Sequence, residues 1–66
     1  MSWDSVTYVE IEVDEIIKET ELAVLCVIDG EEVWLPRSQI DGGDDLDEGF
    51  SGTIQLADWL ARERGL

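Results

Sequence analysis

Carboxylates are the groups with which this chain can do chemistry. Seventeen Asp and Glu side chains stand against four Lys and Arg and no histidine in 66 residues, a net charge of −13. Without imidazole there is no Ser-His or Cys-His dyad and no histidine ligand for zinc. The single cysteine, Cys26, lies inside the unbroken apolar run Leu22–Ile28, where it reads as a buried, inert thiol and not a nucleophile. Paired carboxylates arise by chance at this acid content. No glycine-rich loop leading into a helix with a following lysine offers a phosphate cradle. The expectation is a protein without catalytic residues or cofactor.

The acids fall in three groups: Glu10, Glu12 and Asp14; Glu31 and Glu32; and Asp44, Asp45, Asp47 and Glu48. The last group invites comparison with a calcium loop, which needs oxygen ligands at positions 1, 3, 5 and 12 and glycine at position 6. Counting from Asp44, Glu48 and Gly49 fall correctly, but Leu46 and Gln55 occupy two ligand positions. No metal site is assigned, and weak, non-specific cation binding is the reading left. A field of this sign repels nucleic acid and anionic membranes and steers the chain toward a basic partner. The four cations, Lys18, Arg37, Arg62 and Arg64, form no basic stripe with which to bind nucleic acid directly. Proteins that do bind it line a groove with Lys and Arg to neutralise phosphates. Carboxylates at comparable spacing can occupy the same groove. For any single acid a generic solvated face is the better explanation, and only their total favours mimicry.

One domain, residues 1–66, must position these groups, and a chain this short buries only about 60% of its unfolded surface. Leu22–Ile28 and Val33–Leu35 flank Asp29-Gly30, the pairing that best marks a hairpin, because both central residues of a type I′ turn need positive φ. The two-residue loop sets Ile28 opposite Glu31, Cys26 opposite Val33, Leu25 opposite Trp34 and Val24 opposite Leu35. The first of these strands is apolar on both faces and belongs inside a sheet. Residues 6–13 alternate, with Val9, Ile11 and Val13 toward a core and Glu10, Glu12 and Asp14 toward solvent. Residues 14–21 fit either a strand or a helix capped by Asp14, the strand being preferred. Pro36 ends the ladder, and Ile40 returns to the core after a turn. Residues 41–52 read as a mobile acidic loop pinned by Phe50 and Leu46. Thr53–Leu56 is a short strand, and Ala57–Arg64 a helix docked through Trp59 and Leu60 and ended by Gly65. Trp34 is either core or an interface anchor, and Trp3 is open in the same way. The fold class is α+β: a small antiparallel sheet of three to four strands with a short C-terminal helix.

Nothing near the N-terminus resembles a signal peptide, and no run approaches the roughly 20 apolar residues of a membrane span. With one cysteine there is no internal disulfide. A cytoplasmic protein is expected, a monomer or small homo-oligomer.

Val33-Trp-Leu-Pro-Arg-Ser-Gln-Ile40 and Ile54-Gln-Leu-Ala-Asp-Trp-Leu-Ala-Arg-Glu-Arg-Gly-Leu66 resemble a pattern in small phage- or prophage-encoded proteins. Ala57 stands where that pattern has proline. The resemblance covers the last half of the chain and implies a β-rich, barrel-like fold with a C-terminal helix and no catalytic residues. Size and acidity also resemble phage anti-CRISPR proteins that imitate DNA. That likeness implies an inhibitor whose acids, with Trp34, dock on the DNA-binding surface of a host defence complex, first of all a type I CRISPR surveillance complex. Reversal of Asp44, Asp45 and Asp47 to lysine would then abolish binding.

Overall fold

Backbone pairing divides the strands between two sheets. The computed structural model describes residues 7–66; Trp3, left open above, lies outside them. In chain order the elements are β1 (Tyr8–Val13), β2 (Glu15–Glu19), β3 (Ala23–Ile28), β4 (Glu31–Pro36), β5 (Ile40–Asp41), β6 (Gly52–Ala57) and α1 (Asp58–Arg64). Single 3-10 turns cover Arg37–Gln39 and Gly43–Asp45. One antiparallel sheet runs β1-β6-β5 and the other β2-β3-β4. The fold is α+β, as expected, but the described residues form two three-stranded sheets in place of one sheet, and no closed barrel. The reason is long-range pairing. β1 takes β6 as its partner over its whole length, from Tyr8 with Ala57 to Val13 with Gly52, and the chain then leaves that sheet through a bend at Asp14.

The hairpin forms as its turn demands. Asp29 has φ 53° and Gly30 φ 79°, both in the region a type I′ turn needs, and the four expected pairs are all present. β3 is the central strand of its sheet. Leu22, the first residue of the apolar run, is not part of it. Thr20 Oγ1 accepts hydrogen bonds from the Leu22 and Ala23 N–H groups, and this local turn leaves Leu22 77% exposed.

Residues 15–19 take the strand conformation, with a bulge between Ile16 and Lys18. A bulge adds one residue on one side of the ladder and flips the alternation that follows it. Lys18 therefore pairs with Leu25 on the outer face, while Glu19 pairs with Val24 on the core side. Without it, a lysine would face the buried Val24.

The two sheets enclose Ile11, Val13, Ile16, Val24, Cys26, Leu35, Ile54 and Leu56, and Leu60 of α1 closes the cluster. Cys26 is fully buried, and burial pushes its thiol up to about 11. α1 docks through Leu60 and Ala61, not through Trp59, which is 53% exposed. At 100° per residue Leu60 and Ala61 share a face with Ala57, and Trp59 falls outside that stripe. Its indole N–H instead donates to Gln39 Oε1 at 3.1 Å. Gly65 ends the helix at φ 75°. Its N–H donates to the Arg62 carbonyl and that of Leu66 to Ala61, the two bonds of a Schellman ending.

Candidate functional site

Exposed acids on this scaffold gather at the two ends of the β3-β4 hairpin, about 17 Å apart by the rise of five strand steps. The first group rests on regular strands. Alternation along β1 puts Glu10 and Glu12 on its exposed face, opposite Gln55 and Thr53 of β6. Gln55 also pairs with Asp41 on its other side. Asp41 and Glu10 therefore flank Gln55 on one face, two strand spacings or about 10 Å apart. Gln55 Nε2 donates to Glu10 Oε2 at 3.4 Å. Glu10 and Glu12 then meet the hairpin tip across a groove of about 300 Å³, which Asp29, Glu31, Arg64 and Leu66 also line.

The second group depends on one arginine. Arg37 is buried at 9% exposure, and its guanidinium reaches four acceptors. Nε donates to the Thr20 carbonyl at 3.0 Å, Nη1 to the Gly43 and Leu46 carbonyls at 2.8 and 2.7 Å, and Nη2 to Glu19 Oε1 at 3.1 Å. The other Glu19 oxygen accepts the Glu48 N–H at 2.9 Å. Ile16 exchanges backbone bonds with Phe50 and Gly49, and Leu46 is buried as expected. Residues 41–52 are thus fastened along their length to β2 and Arg37, where the sequence suggested a mobile loop with two pins. Their 3-10 turn presents Asp44 and Asp45 beside Glu21 on a wider groove of about 750 Å³.

The structure therefore brings Glu10, Glu12 and Glu31 together at one end and Asp44 and Asp45 at the other. Glu32 and Glu31 part company because strand alternation sends them to opposite faces. Glu32 instead shares the outer face of its sheet with Val27 and Glu15. Asp14 sits at the exposed bend between the sheets, and Asp47 and Glu48 are exposed but line neither groove. Trp34 lies on the outer face at 45% exposure, which overturns the core reading.

Asp29 and Asp41 were missed as members of the first group. Asp29 had been accounted for by its turn, and Asp41 by the loop it opens. The pairing of Asp41 with Gln55 and of Gln55 with Glu10 has no local signature. Among the described residues the ion pairs are Arg37–Glu19 and Arg62–Asp58, so fourteen of the sixteen described acids have no cationic partner within ion-pair distance. Also among the described residues, no three acids converge so as to hold a metal ion, and no helix is long and apolar enough to cross a membrane. No family model, no curated protein and no solved structure matches the chain.

Proposed function

We propose that this protein is an inhibitor that occupies the basic, nucleic-acid-binding groove of a partner by presenting carboxylates in place of phosphates. The observation that carries the reading is the first acidic group: Glu10, Glu12, Asp29, Glu31 and Asp41 held on paired strands and a tight turn. Strand-mounted charges are fixed relative to one another before binding, so little ordering entropy is lost on docking. Their like charges repel within the free protein, and a lysine- or arginine-lined groove relieves that repulsion. The phage-like sequence pattern and the class likeness to anti-CRISPR proteins favour a host defence complex as the partner, with a type I CRISPR surveillance complex the first to test.

Charge steering predicts fast association that weakens steeply with salt. The test is retention of bacterial proteins on the immobilised chain at about 0.1 M salt, a concentration with a screening length near 10 Å. Elution is by duplex DNA or by a salt gradient. A nucleic-acid-binding protein displaced by DNA at constant salt supports mimicry. Retained proteins that DNA does not displace overturn it. Two triple lysine variants then locate the surface at equal net charge: Glu10, Glu12 and Glu31 in one, Asp44, Asp45 and Asp47 in the other. Loss confined to the first assigns the docking surface to the strands. Equal loss in both reduces the acids to a diffuse field.

A further inference from the structure

A strand at the edge of a sheet presents a row of unused backbone donors and acceptors, and β1 is the outer strand of its sheet. The Asp58 N–H donates to the Thr7 carbonyl at 2.8 Å, which extends the Tyr8–Ala57 register by one pair. Antiparallel ladders alternate bonded with unbonded pairs, so Thr7, Val9 and Ile11 turn their N–H and C=O groups toward β6. Tyr8, Glu10 and Glu12 turn theirs outward, where they meet no backbone partner among the described residues. The other edges are occupied or interrupted. Ile16 of β2 exchanges backbone bonds with Gly49 and Phe50, β5 is two residues long, and β4 ends on Pro36, which has no N–H.

The open edge runs along the groove of about 300 Å³, with Ile11 between Glu10 and Glu12 on one wall and Ile28 and Val33 of the hairpin on the other. Ile28 and Val33 belong to the core side of their sheet, as does Cys26, which pairs with Val33. A strand added to β1 would therefore turn alternate side chains into an apolar seam between the sheets and the rest outward beside Glu10 and Glu12. Charge selects that strand. Glu10, Glu12, Asp29 and Glu31 line the groove against one guanidinium, that of Arg64. Like charges directly opposite one another destabilise a strand pair. A second copy of β1 would set its own glutamates against these, on a protein of charge −13, so the acids close the edge to self-pairing. Lys or Arg at the same positions makes those cross-strand pairs favourable.

We infer that β1 accepts an extended partner segment as a further, antiparallel strand of its sheet, and that Lys or Arg alternates with aliphatic residues in that segment. The cationic residues stand opposite Glu10 and Glu12 and exchange backbone bonds with them. The aliphatic side chains between them rest on Ile11, Ile28 and Val33. The inference rests on the proposed function for the basic character of the partner, and adds the backbone pairing that holds it.

The probes are three synthetic peptides of one sequence, Lys alternating with Val: unmodified, N-methylated at the Lys amides, or N-methylated at the same number of Val amides. Directly paired residues share a face, so the Lys N–H groups point at β1 and the Val N–H groups point away. Each is titrated into isotopically labelled protein and followed by NMR at about 0.15 M salt, a physiological ionic strength. Methylation at Lys should weaken binding at least about tenfold, the factor that two or three ordinary hydrogen bonds supply. Methylation at Val should leave the affinity as it was. The unmodified peptide should also slow hydrogen exchange of the Tyr8, Glu10 and Glu12 amides, while Val9 and Ile11, already bonded to β6, change little. No binding by the unmodified peptide, equal affinity of the two methylated ones, or unchanged exchange at Glu10 and Glu12 would each overturn the proposal. So would equally tight binding of a peptide alternating Glu with Val. The three Lys-Val peptides carry equal charge, so the contrast between the methylated pair reports backbone pairing and not steering. Displacement of a retained protein by duplex DNA tests mimicry alone, and either result can fail while the other stands.

Discussion

The two ends of the β3-β4 hairpin both present carboxylates, but they are held in place by different physics. At the tip, Glu10, Glu12, Asp29 and Glu31 take their positions from backbone ladders and a type I′ turn, and no single side chain holds the arrangement together. At the opposite end, Asp44 and Asp45 ride on a segment whose carbonyls converge on the Arg37 guanidinium. A strand-mounted charge can be changed without moving its neighbours. A loop-mounted charge shares its support with everything else fastened to Arg37. Surface charge and stability are therefore separable at the first end and coupled at the second.

The sharpest way to break this contrast is Arg37→Met. The methionine keeps part of the aliphatic volume but leaves the Gly43 and Leu46 carbonyls and the Glu19 carboxylate without their donor. Loss of one partner from a buried, hydrogen-bonded ion pair costs about 3–5 kcal/mol, and the partial exposure of Glu19 places the expected loss near the lower figure. That is a large share of the stability of a 66-residue domain. Urea denaturation measures it, and exchange of the Glu48 and Gly49 amides should speed up by more than that of Glu10 or Glu12. Gly43→Ala reaches the same end by sterics alone. A Cβ there would lie 2.3 Å from the Arg37 carbonyl oxygen, and overpacking of this kind costs about 1–3 kcal/mol. Stability unchanged in both variants would refute the claim that this end hangs on Arg37.

The next test concerns β3, the strand that joins the two ends. Its buried Cys26 holds its proton to about pH 11, against an ordinary value of 9.0. The folded state binds this proton more tightly than the unfolded chain does, so the associated stability is complete below pH 9.0 and is lost as pH rises toward 11. The gap between the folded and ordinary values corresponds to at most about 2–3 kcal/mol. Wild type should lose stability more steeply than Cys26→Ala across that window, measured by urea denaturation at each pH. Below it, the thiol should resist a disulfide reagent until the protein unfolds. Modification at the rate of a free thiol below pH 9.0 would show that β3 opens and cannot serve as a common support.

This contrast also explains which parts of the molecule were legible in the sequence. The hairpin register followed from Asp29-Gly30 because turn chemistry and pairing are local. The outward row of Glu10 and Glu12 followed from alternation for the same reason. The second sheet was not legible, because β1 pairs with a strand 39 to 49 residues away, from Val13 with Gly52 to Tyr8 with Ala57, and nothing local signals that choice. The role of Arg37 was hidden too. An arginine after proline reads as a surface turn, and its acceptors at Thr20, Gly43 and Leu46 converge only once the chain is folded. Trp59 was a missed local signal: Ala57, Leu60 and Ala61 already define the buried stripe, and a large aromatic was allowed to outweigh the helical period.

The smallest expected effect sits at the tip, and its sign is what matters. Glu10 and Glu12 are two residues apart on one face of β1, about 6.6 Å by the strand rise, so their charges repel across water-filled space. Glu10 holds only a long hydrogen bond from Gln55, and no cation lies within ion-pair distance of either residue in the described structure. Replacing Glu12 with glutamine removes repulsion, preserves shape and breaks no ion pair among the described residues. Tm should therefore rise, by no more than about 2 °C at low salt, the size of shift that a screened pair of exposed charges produces. The gain should disappear at about 1 M salt, where the screening length falls to roughly 3 Å. The direction is opposite to that of every substitution at the Arg37 end. Thermal melts of wild type and variant across a salt series read it directly. A fall in Tm would mean that Glu12 supports the fold, and that the two ends of the hairpin are not built differently after all.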